Sequence, residues 1–367
     1  MKHSIAKKLL IDILCTAAAL VVFALFHHVL PRQQQSLGIV IPRPASEQQA
    51  EKTSAGLWDW LIPSAGAESA QAQLSARSNG RNGRGGGWNS GFSSKGGSAL
   101  TEDGEAVSET DDIPMADKFA DRYTDEIVRT ENSYTSPGIS VTVTEETLDG
   151  GRITYYLADI YLKDVTSFQT ALAKNTYGSG YRDGIADMAA MTGALVAVNG
   201  DYYGNTNEGV VIRNGVIYRA NRTNCDVCVL YYDGTMRVMP GASFTVEDAI
   251  ADGAWQAWTF GPALLDTDGS PLSGFYSTNR IISANPRTAI GYYEPGHYCM
   301  VVVDGRGESA GITLPELSRL FYDLGCRAAY NLDGGNSSVM VWNGGVINDP
   351  SGGGRESSDA LLIAEAE

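Results

Sequence analysis

Residues 297–338 decide the fold, and they read HYCMVVVDGRGESAGITLPELSRLFYDLGCRAAYNLDGGNSS. The apolar run at 298–303 predicts a buried strand, and a second short apolar run at 327–332 predicts another. Between them, 313–324 starts with a capping box and carries leucines at helical spacing, which predicts a helix. Strand, helix and strand in this order predict a βαβ unit with two parallel strands.

Each of these two strands is followed by a short polar loop. The first loop is Asp304-Gly305-Arg306 and the second is Asp333-Gly334-Gly335. The carboxyl ends of neighbouring parallel strands lie at one edge of a sheet, so we expect the loops to meet there. A single Asp-Gly pair is a common turn. Two of them, each closing a parallel strand, favour a polar site.

Upstream of this unit the pattern is that of antiparallel hairpins. Alternating residues at 139–143 and an apolar run at 153–161 flank the turn residues 149–151. Two more hairpins are predicted at 210–218 and 227–239. Together with the βαβ unit they predict an α+β fold class with mixed sheets.

The chain begins with a basic flank and an apolar segment. Lys7 and Lys8 precede the run 9–30, which is long enough to cross ~30 Å of hydrocarbon. Its stricter core, 13–26, has the length of a signal peptide, but no small-x-small cleavage site follows. We therefore expect residues 1–30 to form an uncleaved transmembrane signal-anchor, with the rest of the chain outside the cytoplasm.

Composition divides the remainder into three parts. Residues 31–112 are rich in Gln, Ala, Ser and Gly and predict a low-complexity, disordered spacer. Residues 113–137 predict a short helical lead-in, and 138–367 predict the globular domain. The domain order is thus anchor, spacer, lead-in and domain.

Charge and residue usage exclude several classes of function. A formal net charge of −16 repels phosphate backbones, so no nucleic-acid partner is expected. Of the four histidines, only His297 lies outside the N-terminal segment. A histidine metal site or a Ser-His-Asp triad therefore has little to draw on, and we expect no cofactor and no metal ligands. Cys299 and Cys326 lie near the starts of the two predicted strands, where a disulfide and free thiols are both possible.

Six motifs occur in an order that resembles the phosphodiester glycosidase family, over roughly residue 139 to the C-terminus. Two departures stand out: Asn336 replaces a glycine of the family pattern, and Asp201 adds a carboxylate. The family arginine that follows the Pro-Ser segment would be Arg355, but its spacing is unclear. The motifs are VNGDYY at 198–203, NPRTAIG at 285–291, VDGR at 303–306, SAGITLPEL at 309–317, NLDGGNSS at 331–338 and NDPS at 348–351.

The resemblance implies an enzyme, a glycosidase that releases a sugar, typically N-acetylglucosamine, from a 1-phosphodiester. The phosphate group that leaves a 1-phosphodiester is weakly basic, so a histidine acid is dispensable. An arginine, Arg287 or Arg306, would bind the phosphate, and a carboxylate, Asp304 or Asp333, would activate water or attack the anomeric carbon. The resemblance implies the catalytic residues Asp304, Arg306 and Asp333 and the substrate-binding residues Asn199, Asp201, Arg287, Asn331, Gly334, Gly335 and Ser337.

The expected substrate is a glycosyl-phosphate glycan of the envelope or an exopolysaccharide. Two alternatives stay open. The first is a non-catalytic protein that binds envelope glycan or helps to assemble exopolysaccharide. The second is a phosphodiesterase that uses a divalent metal held by Asp201, Asp304 and Asp333.

Overall fold

The computed structural model describes residues 2–24, 30–44, 93–94, 114–276 and 279–366, and strands outweigh helices in its regular structure. The α-helices are α1 Lys2–Ala24, α2 Met115–Lys118, α3 Ile185–Thr192, α4 Val246–Ala251, α5 Asn279–Ile282 and α6 Leu314–Asp323. The strands are β1 Arg32–Gln33, β2 Ile39–Val40, β3 Ser93–Ser94, β4 Val128–Arg129, β5 Ser133–Thr135, β6 Ile139–Leu148, β7 Ile153–Leu162, β8 Phe168–Leu172, β9 Gly178–Ser179, β10 Val196–Asn199, β11 Val210–Arg213, β12 Val216–Ala220, β13 Asp226–Tyr231, β14 Met236–Pro240, β15 Ala254–Thr259, β16 Phe275–Tyr276, β17 Arg287–Glu294, β18 His297–Val303, β19 Ala328–Asn331, β20 Met340–Trp342, β21 Gly345–Val346 and β22 Asp359–Ile363.

Three antiparallel sheets surround a shared core. Their strand orders are β19-β17-β18-β7-β6-β5-β4, β21-β20-β10-β22-β8 and β14-β13-β15-β11-β12-β2. One buried cluster joins all three, with Met300 from the first sheet, Val198 and Leu361 from the second and Trp258 from the third. Burial of this apolar surface is the main force that holds the sheets together.

The predicted parallel pair is wrong, and with it the α+β assignment of mixed sheets. β17 lies between β18 and β19 and pairs antiparallel with each, so that Ala289 faces both Val301 and Asn331. The sequence pattern of a βαβ unit does not reveal a third strand inserted between its two strands. Because both flank β17 in the antiparallel sense, β18 and β19 still run in the same direction.

The local predictions around these strands are confirmed. β6 pairs with β7, β11 with β12 and β13 with β14, each as a hairpin. α6 begins at the capping box that Thr313 and Glu316 form. The apolar face of α6 is buried against the first sheet, which fixes the connection from β18 to β19.

The predicted N-terminal transmembrane helix is also wrong. Over the described ranges, no helix combines the length and the apolar character needed to cross a bilayer. α1 contains Lys7, Lys8 and Asp12, and these charges shorten its apolar part.

Most of the predicted spacer, 31–112, lies outside the described residues. Its first part is described and lies on the domain, where β1 pairs with β9 and β2 pairs with β12. Ile41 is buried in the core next to β2. We call residues 30–44 the N-terminal strap.

The predicted helical lead-in is short. α2 ends at Lys118 and a 3-10 turn covers Ala120–Arg122, after which the chain forms β4 and β5. These two strands extend the first sheet beyond β6. Pairing with an exposed strand edge therefore replaces helix formation in the second half of this segment.

Cys299 lies near the start of β18 and Cys326 just before β19, and both are buried. The sulfur atoms of Cys299 and Cys326 lie 3.8 Å apart as free thiols. Of the two arrangements left open by the sequence, the structure contains the thiol pair.

Candidate active site

The second polar loop opens into a cleft where three strands converge. β10 ends at Asn199, β19 ends at Asn331, and β22 begins at Asp359. We call this space the cleft. Its lining includes Arg182, Asp201, Tyr202, Asn205, Asp333, Arg355 and Glu356.

Asp333 presents a carboxylate to the cleft in a fixed orientation. Its Oδ2 accepts hydrogen bonds from Ser337 Oγ at 2.8 Å and from Arg355 Nη2 at 2.6 Å. Its Oδ1 accepts from the backbone N–H of Gly334 at 3.0 Å. Burial raises the pKa of Asp333, while Arg355 and these hydrogen bonds act in the opposite direction. The result is an oriented carboxylate with a cation beside it.

Arg355 is the residue that sequence reasoning did not place. Its Nε donates to Ser337 Oγ at 2.9 Å, and its side chain is 42% exposed, so it reaches the solvent of the cleft. The chain returns to the site through Gly352, Gly353 and Gly354, which all adopt positive φ. The family pattern pointed to an arginine after the Pro-Ser segment. The glycine turn makes the distance between Arg355 and Asp333 impossible to read from their separation in the sequence.

Asp304 lies in a different environment. It is 6% exposed, its Oδ1 accepts from Asn348 Nδ2 at 2.8 Å, and its Oδ2 accepts from the backbone N–H of Asp349 at 3.0 Å. Burial raises the pKa of Asp304. Asp304 is absent from the lining of the cleft. The carboxylate of the first loop therefore fastens the 348–349 turn.

The two predicted phosphate-binding arginines also differ. Arg287 is 4% exposed and donates to the backbone carbonyls of Ser283 and Ile312 at 2.9 and 3.3 Å, and to that of Ile281. Burial and the neighbouring Arg306 lower the pKa of Arg287 to about 10. Its guanidinium is thus used to hold the chain around α5.

Arg306 is open to solvent. It donates to Asn336 Oδ1 at 2.9 Å and to Asn285 Oδ1 at 2.8 Å, and both partners are neutral amides. A β-carbon at Gly335, which has φ of 67°, would lie 3.2 Å from both terminal nitrogens of Arg306. The glycine therefore allows the exposed cation of the first loop to lie against the second loop.

The predicted ligands Asn199 and Asn331 are buried amides whose Nδ2 atoms both donate to backbone carbonyls. Asn199 donates to the backbone carbonyl of Asp333 at 2.7 Å and accepts from Thr288 Oγ1 at 2.7 Å. Asn331 is fully buried and donates to the carbonyl of Gly261 at 2.8 Å. Asn199 thus holds the backbone of the Asp333 loop, and Ser337 and Gly334 complete it through the contacts described above.

A buried charge cluster underlies the cleft. Arg213 Nη2 lies 2.9 Å from Asp201 Oδ2 and 2.8 Å from Asp359 Oδ2. Burial raises the pKa of Asp359, Arg213 lowers it, and the neighbouring Asp201 and Asp333 raise it, with a net value of about 7. Asp359 Oδ1 is buried without a hydrogen-bond partner. An aspartate at the start of an apolar strand gave no signal of this role in the sequence.

Of the three aspartates proposed as metal ligands, Asp201 and Asp333 line the cleft and Asp304 lies outside it. Each is engaged by the separate partners described above. Within the described part of the chain, no group of three or more His, Cys, Asp or Glu side chains is arranged to hold a metal ion. The structure thus supplies no ligand set for the metal-dependent alternative.

Comparison with known proteins confirms the resemblance that the motifs indicated. Residues 192–364, a little under half of the chain, match the family described as "Phosphodiester glycosidase". This stretch includes Asp333 and Arg355 as well as Asp304 and Arg306.

Individual relatives agree with this assignment. The chain is 33% identical over 197 residues to the "SPbeta prophage-derived uncharacterized protein YomE" of Bacillus subtilis (strain 168), covering 51% of this chain and 30% of that protein. It is 37% identical over 76 residues to the "N-acetylglucosamine-1-phosphodiester alpha-N-acetylglucosaminidase" of Bos taurus, covering 20% and 14%. The chain therefore spans less than a third of the length of these relatives.

A solved structure of a named enzyme is similar in fold. It is the zebrafish N-acetylglucosamine-1-phosphodiester alpha-N-acetylglucosaminidase catalytic domain, with a TM-score of 0.50 and 21% identity. The superposition covers 66% of this chain and 88% of that one. At this identity the likeness concerns the fold alone.

Proposed function

We propose that the chain, which carries a domain of the phosphodiester glycosidase family, is a hydrolase that releases N-acetylglucosamine from a glycosyl-1-phosphodiester. The observation that carries the proposal is the pair formed by Asp333 and Arg355 in the cleft, 2.6 Å apart. The family match over 192–364 supports it, because this stretch contains both residues. The bovine relative, named for this reaction, supports the choice of sugar.

The cleft offers two cationic groups to an anionic substrate, beside the carboxylates of Asp201, Asp333 and Glu356. The protein carries a net charge of −16, yet Arg182 and Arg355 both line the cleft. A guanidinium can bind two phosphate oxygens with parallel hydrogen bonds. We assign Arg355 to the phosphodiester, because its side chain already reaches the solvent.

Phosphate binding would also release the carboxylate. When Arg355 turns to the phosphate, Asp333 loses its ion-pair partner and keeps the hydrogen bonds from Ser337 and Gly334. It can then take a proton from water or attack the anomeric carbon. The departing group is a phosphate monoester, a weak base that leaves without a proton donor, which fits a cleft whose described lining has no histidine.

The proposal also covers the source and the location of the substrate. We place the substrate in envelope or exopolysaccharide glycan, outside the cytoplasm. The support is the basic flank followed by an apolar segment at the N-terminus, which is typical of exported chains.

The test is the release of free N-acetylglucosamine from its α-1-phosphate methyl diester by the full chain. We expect release by the wild type and by Asp304→Asn, and loss in Asp333→Asn and Arg355→Ala. If the wild type binds the diester without releasing sugar, the non-catalytic alternative is correct. Equal activity of all four proteins would refute the assignment to Asp333.

A further inference from the structure

A single aromatic side chain lies among the polar residues that line the cleft over the described part of the chain. It is Tyr202, which is 38% exposed, whereas its neighbours Asp201 and Tyr203 are each 1% exposed. An aromatic ring in a polar cleft offers an apolar face of fixed shape. This combination suits a ligand that has both an apolar face and polar substituents.

The neighbours of Tyr202 hold it rigidly in place. Asp201 is bound to Arg213, and its Oδ1 accepts the backbone N–H of Tyr203 at 2.9 Å. The ring of Tyr203 stacks on that of Tyr177, with centroids 5.4 Å apart. Because both flanking residues are fixed in the interior, the backbone of Tyr202 is anchored at the wall of the cleft.

The polar groups beside Tyr202 are also preorganised. Arg182 Nη2 donates to Asn205 Oδ1, and both residues line the cleft. Arg182 has no carboxylate partner among the described residues. Its remaining N–H groups and the amide of Asn205 can therefore hydrogen-bond to a ligand next to the ring.

The N-terminal strap supports this wall of the cleft from outside. Arg32 and Gln33 pair with Ser179 and Gly178. Gln34 Nε2 donates to Asn207 Oδ1 at 3.1 Å. The strap thus binds segments that adjoin both Arg182 and Asn205.

We propose that Tyr202 is the platform on which the sugar ring packs, and that Arg182 and Asn205 bind the substituents of that ring. This inference rests on the proposed function and deepens it, since it assigns the sugar end of the substrate to one wall. The phosphate end then belongs to Arg355 and the bond that breaks lies near Asp333. A pyranose provides the C–H face for the ring and the hydroxyl and acetamido groups for the polar pair.

Calorimetric binding of N-acetylglucosamine 1-phosphate to the full chain tests the platform apart from turnover. We expect Tyr202→Ala to weaken binding about tenfold, the scale of one aromatic contact. Tyr202→Phe keeps the ring and should bind like the wild type. Tyr322→Ala removes a tyrosine of similar exposure on α6, 44% against 38%, which is not in the lining of the cleft and serves as the matched control.

The turnover assay with the methyl diester then separates the two proposals. In Tyr202→Ala we expect KM to rise about tenfold with kcat close to the wild-type value. Unchanged binding in Tyr202→Ala overturns the platform and leaves the hydrolase intact. Tyrosine-dependent binding without any turnover overturns the hydrolase and keeps the platform. No binding by the wild type overturns the platform as well.

Discussion

The two Asp-Gly loops look alike in sequence and differ in what their carboxylates bind. Asp304 accepts hydrogen bonds from a side-chain amide and a backbone N–H, at Asn348 and Asp349. Asp333 accepts from a charged guanidinium and faces the cleft. A carboxylate held by neutral donors fastens the chain, whereas one held by an exposed cation can exchange that cation for a ligand. The role of each aspartate therefore depends on the hydrogen-bond donor that a distant part of the chain brings to its carboxylate.

The largest expected difference between the loops is catalytic. Asp333→Asn removes the charge and keeps the shape, so we expect kcat to fall by ~10²–10⁴-fold, the usual contribution of a positioned acid or base. Asp304→Asn should keep most of the activity. Release of N-acetylglucosamine by folded protein, checked by circular dichroism, measures both. Loss of activity in Asp304→Asn alone would reverse the assignment.

The second difference is a pH dependence of the folding stability, which we expect from Asp359, beneath the cleft that Asp333 lines. Asp359 has a pKa of about 7 in the folded chain, against about 3.9 for an ordinary carboxyl. Between these values the folded state binds more protons, so its stability falls as pH rises, by at most ~1.4 kcal/mol per pH unit. The stabilisation is complete below pH 4 and lost above pH 7.

Urea unfolding between pH 4.5 and 7.5 measures this slope. Asp359→Asn stays neutral, so its stability should depend less on pH than that of the wild type. A constant difference between the two proteins across this range would show that Asp359 is ionised throughout.

The third difference is the contribution of Asp304 to the free energy of unfolding, through its two hydrogen bonds. In Asp304→Asn one of the two donors, Asn348 Nδ2 or the N–H of Asp349, must face the new amide group. A buried donor without an acceptor costs ~1–3 kcal/mol, and each kcal/mol lowers Tm by ~2–4 °C in a domain of this size. Asn348→Ala removes the same contact from the other side.

A double-mutant cycle of these two changes, followed by thermal unfolding, measures the coupling. We expect a combined loss smaller than the sum of the single losses. Strict additivity would mean that the Asp304–Asn348 contact contributes nothing.

The sequence was sufficient for features that depend on neighbouring residues. Three hairpins and the cap of α6 follow from turn residues, alternation and the Thr313–Glu316 spacing. It failed where a distant segment intervenes. β17 entered between β18 and β19, and Arg355 reached Asp333 through a glycine turn. The ends of β18 and β19 nevertheless lie at the same edge of the sheet, as predicted. One antiparallel strand inserted between them leaves both strands running in the same direction.

The site residues follow the same division. Residue type alone could not separate an arginine that holds backbone carbonyls, Arg287, from one that stays exposed, Arg306. That difference is set by burial, which depends on how α5 packs. The charge cluster of Asp201, Arg213 and Asp359 was equally hidden, since its three members come from separate strands or their ends.

The smallest effect is expected at Arg306, where the two loops touch. Arg306 binds Asn336, which follows the second loop, and among the described residues its hydrogen-bond partners are neutral amides. Arg306→Gln keeps a hydrogen-bonding side chain at the same positive φ, so the strain of that backbone is unchanged. We expect stability within ~0.5 kcal/mol of the wild type, as at other exposed positions.

For the diester we expect a KM increase of two- to fivefold in Arg306→Gln, ~0.4–1 kcal/mol, the range of an exposed charge pair. Because salt screens such an interaction, the difference from the wild type should shrink between about 0.05 and 0.5 M NaCl. A loss of kcat that salt does not change would mean instead that Arg306 holds the Asp333 loop in its working conformation. In that case the first loop would act on catalysis through Asn336, and the separation of roles between the two loops would be incomplete.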